Sequence, residues 1–365
     1  MDETSQAADP RDGFDFDGQW REYLPIAATN LLLMLVTLGF YRFWATARER
    51  RYLWSRTRLL GEPLEWAGSG KEMFIGFLVA MLFFVPIVLF LNFGMQALVL
   101  RGQALLAFIG WLVAMSALFY LLGVAKFRAV RYRLSRSYWR GIRGGSDDPG
   151  WDYGAQTLGR SGLALFTAGL LVPWTMATLW RLRWSAMSFG PYRFAVGDGP
   201  ATKGLKRRWL LIYLAPFLLL IPAMLLGAVV GLTGEVPAAD PSNPMGSMSM
   251  LTWIIIALTL AIYVLPIAYF AAFYRKMVGE MTLGDLRFDF TARTIDWIKL
   301  LLGHIGLVIV TLGFGLMYIG YRNWAFFARH LVIHGTLDPA ALTQSRTALQ
   351  NDAEGLADAF DIGAI

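Results

Sequence analysis

Residues 36–54 read VTLGFYRFWATARERRYLW. An apolar run ends in Thr37-Leu38-Gly39-Phe40 and passes without a spacer into a segment carrying Arg42, Arg48, Arg50 and Arg51, continued by Arg56 and Arg58. At roughly 100° per residue these arginines spread around the whole helix, and Phe40 and Trp44 share a side with Arg51 and Arg58. No apolar stripe is left for a helix lying flat in an interface. A helix rising obliquely through a headgroup layer fits better, because every side of it meets phosphates at some depth. Tyr41, Trp44, Tyr52 and Trp54 suit the same layer. The plain reading is an anchor that fixes this segment on one side of a membrane. The sharper one is a site for anionic lipid or a phosphorylated ligand, formed by Arg42, Trp44, Arg48, Arg50, Arg51, Trp54 and Arg58, since guanidinium grips phosphate bidentately.

The surroundings support a membrane. The 365 residues are 56% hydrophobic and 16% charged, too apolar for a surface facing water all round. Uncharged windows long enough to cross a hydrocarbon core of about 30 Å occur at 73–100, 103–125, 209–233 and 250–274. Shorter candidates at 23–41, 161–180 and 300–321 contain glycine, proline or polar residues. Seven acids among the first 22 residues leave no basic region of a cleavable signal peptide. With no cysteine, disulfides and cysteine metal sites are excluded. The net charge of +7 sits in loops between apolar segments, where it orients a membrane protein rather than binding nucleic acid.

An offset of 274 aligns residues 14–61 with 288–335 without gaps and matches Phe14, Asp15, Phe16, Thr37, Leu38, Gly39, Phe40, Arg48 and Gly61, among others. That is an internal repeat. Thr311-Leu312-Gly313-Phe314 repeats the turn, and Thr167-Ala168-Gly169-Leu170, followed by Pro173-Trp174, is a degraded middle copy. The chain divides into an acidic tail (1–13), unit 1 (14–72), a span hairpin with a basic loop (73–149), unit 2 (150–208), a second span hairpin (209–287), unit 3 (288–338) and an acidic tail (339–365). Glycine turns at 59–68, 188–197 and 283–290 predict small β-hairpins outside the bilayer. Arg143-Gly144-Gly145-Ser146 reads as a flexible loop.

Lys plus Arg number seven at 42–71, eight at 126–160, seven at 181–208 and five at 275–299, against one at 96–102 and none at 234–249. The hairpin turns therefore face away from the cytoplasm. The segment 161–180 has basic loops at both ends, which one conventional span cannot place on one side. The expected fold is an all-α polytopic membrane protein: four full spans in two hairpins, plus three re-entrant or kinked T-L-G units entering and leaving on the cytoplasmic face, bent at the glycine. A plain seven-span bundle is the rival.

Phe14-Asp15-Phe16-Asp17-Gly18, Asn30-Leu31-Leu32, Thr37-Leu38-Gly39-Phe40-Tyr41, Arg50-Arg51-Tyr52-Leu53-Trp54 and Gly68-Ser69-Gly70-Lys71-Glu72 resemble the signature of the YjgN-like family of bacterial inner-membrane proteins. The resemblance is dense over 14–75 and looser to about 338. It implies a polytopic protein of the inner membrane and supplies no mechanism.

Inside the apolar segments no Asp, Glu, Lys or Arg stands near mid-membrane, which argues against a proton-driven pump. Asn30 and His304 are equivalent in the repeat, with Arg160 at the matching place in the middle copy. These positions either hydrogen-bond the broken backbone or touch a ligand. Asn30, Gly39, Gly169, Pro173, His304 and Gly313 are thus the expected hinge or ligand path. His330 and His334 have a metal-ligand spacing, but no firm third ligand, with Asp338 the nearest acid. No catalytic fingerprint is present, and no cofactor is expected. Two functions remain: binding anionic membrane lipid or scaffolding at the cytoplasmic face, or passage of a small or amphipathic solute through kinked helices.

Overall fold

The computed structural model describes residues 13–197, 204–233, 250–337, 342–345 and 347. The loop expected at 234–249 and most of both acidic tails lie outside them.

Strand β1 (Phe14–Phe16) is followed by four two-residue hairpins. These are β2 (Thr57–Leu59) with β3 (Glu62–Trp66), β4 (Ser137–Trp139) with β5 (Ile142–Gly145), β6 (Ser188–Phe189) with β7 (Tyr192–Val196), and β8 (Met281–Leu283) with β9 (Leu286–Phe290). Strand β10 (Leu331–His334) closes the series. In the first two turns both central residues have positive φ: Leu60 and Gly61 at 49° and 83°, Arg140 and Gly141 at 52° and 73°. That is the type I′ turn, whose twist matches the strands it joins. Neighbouring hairpins pair edge to edge, so ten antiparallel strands form one sheet in chain order. Its ends also meet. A Cβ added to Gly13 would stand 2.6 Å from the Ile333 carbonyl oxygen, and the sheet is a nearly closed, barrel-like ring.

Register sets the direction of everything else. Phe16 faces Thr57, Trp66 faces Ser137, Gly145 faces Ser188, Val196 faces Met281 and Phe290 faces Leu331. Each of these residues adjoins a helical excursion. All helices therefore leave and return at one rim, and the four tight turns lie on the other.

The first excursion is α1 (Trp20–Val36) and α2 (Arg42–Ser55). The second runs through α3 (Gly70–Leu89), a π turn at Phe90–Gly94, α4 (Met95–Leu100) and α5 (Ala104–Ser135). The third is α6 (Trp151–Phe166) and α7 (Val172–Ser185), and the fourth is α8 (Leu205–Thr233) and α9 (Met250–Gly279). The last is α10 (Thr294–Val310), a 3₁₀ turn at Phe314–Tyr318 and α11 (Ile319–His330). Short and long excursions alternate. Among the described residues, Gly70–Leu100 and Ala104–Ser135 are the two helices long and apolar enough to cross a membrane.

Within the ring, Trp139, Phe189, Phe194, Leu283, Leu286 and Ile333 belong to one buried apolar cluster. Opposed residues share a face, and the other face carries Arg58, Glu65, Arg193 and Arg287. The ring is a packed core of the kind that fills small barrels.

The all-α expectation is overturned by this sheet. Three of its hairpins fall at the expected glycine turns, but the fourth includes Arg143, Gly144 and Gly145, which form β5 rather than a flexible loop. Strands of two to five residues are too short for period-two alternation to stand out, and hairpin-to-hairpin pairing joins distant stretches of chain. The seven-span rival fails as well: α1, α6 and α10 each reverse direction after 16 or 17 residues. The membrane-length helices are two among the described residues, not four. The windows 209–233 and 250–274 fall in α8 and α9.

Candidate functional site

The three short excursions turn in the same way. Leu38 and Gly39 have φ of 50° and 89°, Ala168 and Gly169 of 50° and 90°, Leu312 and Gly313 of 51° and 95°. The Gly39 amide donates to the Met34 carbonyl at 2.7 Å, Gly169 to Ala164 at 2.7 Å and Gly313 to Val308 at 2.8 Å. With the Leu38–Leu35, Ala168–Leu165 and Leu312–Ile309 bonds, this is a Schellman cap whose left-handed C′ position is held by leucine or alanine, with glycine next. Threonine completes it. The Thr37 hydroxyl donates to Leu33 (2.7 Å) and accepts from the Tyr41 amide (3.0 Å), and Thr311 does the same between Leu307 and Gly315, both at 2.6 Å. Thr167 bridges Leu163 and Leu171. The tips are apolar and bare, with Leu38 90%, Phe166 92% and Leu312 89% exposed.

Below the tips each hairpin is tied across its width. Asn30 is buried; its Nδ2 donates to the Ala45 carbonyl and its Oδ1 accepts from Arg48, both at 3.3 Å. Thr175 donates to the Arg160 carbonyl at 3.3 Å, and Arg322 to the Gly303 carbonyl at 2.7 Å. His304 lies next to that last bond, with its Nε2 buried and unpartnered. Asn30 and Arg48 therefore hold a helix pair together.

The other expected lipid ligands engage different partners. The Arg50 guanidinium lies 5.1 Å from the Trp66 ring centroid and donates toward Met73 sulfur. Trp54 is buried, stacked on Trp324 at 4.3 Å and bonded to Ser137. Arg58 pairs with Asp17 at 3.4 Å on the ring's outer face. Arg42 lies against Phe43, Trp44 stacks on Tyr41, and Arg51 is exposed. Pro173 is buried at the start of α7. His330 bonds the Phe326 carbonyl and His334 meets Asp289 at 3.3 Å on β10, so no common helical face presents the two histidines to a metal. Asp338 lies outside the described residues.

Where the long helices begin, the structure makes a groove that sequence reasoning located only in part. The indole of Trp209, near the start of α8, donates to the Gly169 carbonyl at 2.9 Å. Likewise α3 starts beside tip 1, where a Cβ on Gly70 would come within 2.7 Å of Trp44 Cα. The first two tips thus stand beside the starts of long helices. From there Gly70–Leu100 extends about 46 Å and Trp209–Thr233 about 36 Å, at 1.5 Å per residue. The groove, of roughly 530 Å³, is lined by Leu163, Leu170, Leu171, Pro173, Trp174, Trp209 and Leu210, with Lys206 as its charged member. The Arg160 guanidinium lies 4.6 Å from the Trp174 ring centroid. Apolar walls, two indoles and a cation make an amphipathic anion's binding chemistry.

Comparison with known proteins places the chain. Residues 11–359 match a family described as "Bacterial protein of unknown function (DUF898)". The chain belongs to this family. It is 27% identical over 134 residues to a protein named Inner membrane protein YjgN of Escherichia coli O157:H7, covering 37% of this chain and 31% of that one. To the protein of the same name from Salmonella typhimurium strain LT2 it is 26% identical over 128 residues, 34% of this chain and 32% of the other. The Escherichia coli K12 counterpart is 30% identical over 80 residues, covering 22% and 20%. The matched stretch is thus about a third or less of each relative's length. No solved structure matches.

In this family member, of the groove residues, Gly169 and Pro173 were legible as a turn signal. Lys206 and Trp209 were not, because they come from an excursion some 40 residues later. The one signal in the sequence was the basic run Lys206-Arg207-Arg208 opening an apolar helix.

Proposed function

We propose that this chain is a bacterial inner-membrane protein that binds anionic phospholipid at the foot of its long helices, with the strand ring on the cytoplasmic side. The groove beside Gly169 carries the reading. Its leucines and indoles suit acyl chain and glycerol backbone, and Lys206, with Arg160 on Trp174, suits a phosphate. The bare tips would enter the same leaflet, while the excursion formed by Gly70–Leu100 and Ala104–Ser135 continues across the bilayer. The name of the YjgN relatives agrees with this location. So does the charge pattern, since the basic stretches flank the ring and the positive-inside rule puts them in the cytoplasm. The shared turn geometry at offsets of 130 and 274 supports three copies of one ancestral unit. Solute passage through the ring is opposed by its packed interior.

The test is the lipid that co-purifies. Replacing Lys206 with Glu and Arg160 with Gln should lower retained phosphatidylglycerol and cardiolipin about tenfold relative to phosphatidylethanolamine, as mass spectrometry reads it. That ratio corresponds to about 1.4 kcal/mol. Arg51→Gln, outside the groove, should leave the ratio alone. A double variant with unaltered anionic lipid ends the proposal.

A further inference from the structure

Arg143 has no part in the lipid groove. It lies on β5, opposite Tyr138 on the ring, yet is only 5% exposed. The C-terminal segment covers it. The Arg143 amide donates to Gln344 Oε1 at 3.2 Å, and its guanidinium donates to the Thr347 hydroxyl at 3.4 Å and to the Thr347 carbonyl. Gln344 Nε2 donates in turn to the Gly141 carbonyl at 2.9 Å. The bed beneath is shaped for the segment: a Cβ on Gly145 would collide with the Thr347 hydroxyl, and one on Gly190 would come within 3.0 Å of the Thr343 carbonyl oxygen. Ser345 is buried, its hydroxyl 2.7 Å from that of Thr347.

Among the described residues, every partner of this buried guanidinium is a neutral oxygen. A charge removed from water without a counter-charge is expensive, and neutral acceptors offset only part of that cost. An oxyanion in the place of the Thr347 oxygens would satisfy the same donors and supply the missing charge through a bidentate pair. We infer that the cleft at Arg143 and Gly145 is a phosphate-binding site, with residues 342–345 and 347 lying in it as a stand-in for the ligand. Binding of a phosphoryl group releases the segment. The inference is independent of the lipid groove.

Hydrogen exchange on the full chain in detergent reads the release directly. Inorganic phosphate at millimolar concentration should raise exchange at 342–347 at least tenfold, while chloride at equal ionic strength does not. The Gln344→Ala/Thr347→Ala double variant weakens the competing contacts and should respond at about one-tenth of the phosphate concentration. Arg143→Gln should show no phosphate binding by calorimetry, with its thermal transition confirming that the ring is folded. Phosphatidic acid in mixed micelles forms a second arm: a response to it and not to inorganic phosphate assigns the phosphoryl group to a lipid headgroup. No release in either arm by wild type and double variant, equal release by chloride, or phosphate binding retained by folded Arg143→Gln would each overturn the inference.

Discussion

Leu38, Ala168 and Leu312 occupy a backbone region that costs a residue with a Cβ about 1–2 kcal/mol. Glycine would relieve that strain, so stability alone does not explain a leucine in two of the three turns. Their near-complete exposure at the tips does, if lipid is what they meet. Leu38→Gly should therefore raise the stability of the detergent-solubilised protein by about 1 kcal/mol while loosening its hold on a bilayer. Gly39→Ala should do the opposite to stability, lowering it by about 1–2 kcal/mol, because nothing crowds a new Cβ there and only φ of 89° opposes it. Thermal unfolding of the two variants, beside vesicle flotation of the first, checks both signs. A Leu38→Gly protein less stable than wild type would mean that the leucine packs in the fold.

Hairpins and helical excursions depend on one another. A two-stranded hairpin of two to five residues per strand is not stable alone in water, and here each is joined at both ends to helices whose bases pack on its neighbours. Trp54 stacked on Trp324 ties the first excursion to the last in this way, and Tyr321 donates to the Gly18 carbonyl beside it. Turn chemistry can be changed without disturbing that packing. Arg140 stands at the first central position of a type I′ turn, where asparagine is preferred. What would be lost is an ion pair with Glu62 between side chains 39% and 49% exposed, together with a contact on Trp139. Exposed pairs of this kind contribute about 0–1 kcal/mol. Arg140→Asn is accordingly expected to leave stability within about 0.5 kcal/mol of wild type, or to raise it, in denaturant melts. A loss above about 1.5 kcal/mol would show that the cation–π contact outweighs the turn preference.

The whole molecule has two ends, and its orientation is open to direct measurement because the chain is free of cysteine. Single cysteines at Gly141 and Asp285, on the turn rim, should be labelled only from the cytoplasmic side of intact membranes, and one at Gly102 only from the other. Labelling of all three from one side would place the long excursions along the membrane rather than through it. The apolar windows, the basic loops and the T-L-G turn were all readable from residue order, because each depends on neighbours within a few positions of one another: hydropathy sums along a helix, and a Schellman cap spans six residues. The three glycine hairpins were legible for the same reason. The ring was not. Its strands are brief, Arg143-Gly144-Gly145 carries no alternation, and the pairings that close the sheet, Trp66 with Ser137 or Gly13 beside Ile333, join stretches about 70 and 320 residues apart. The arginine cluster shows the same limit from the other side. Six guanidiniums within 17 residues look like one site in sequence, yet α2, turning about 100° per residue, sends its own to Asn30, to Trp66 and to solvent, while Arg58 lies beyond it on β2 against Asp17. Local order determined which segments bend and which are apolar; long-range packing alone decided that the bends share one rim, that the groove beside Gly169 includes Lys206, and that Arg143 is covered by the chain's own end.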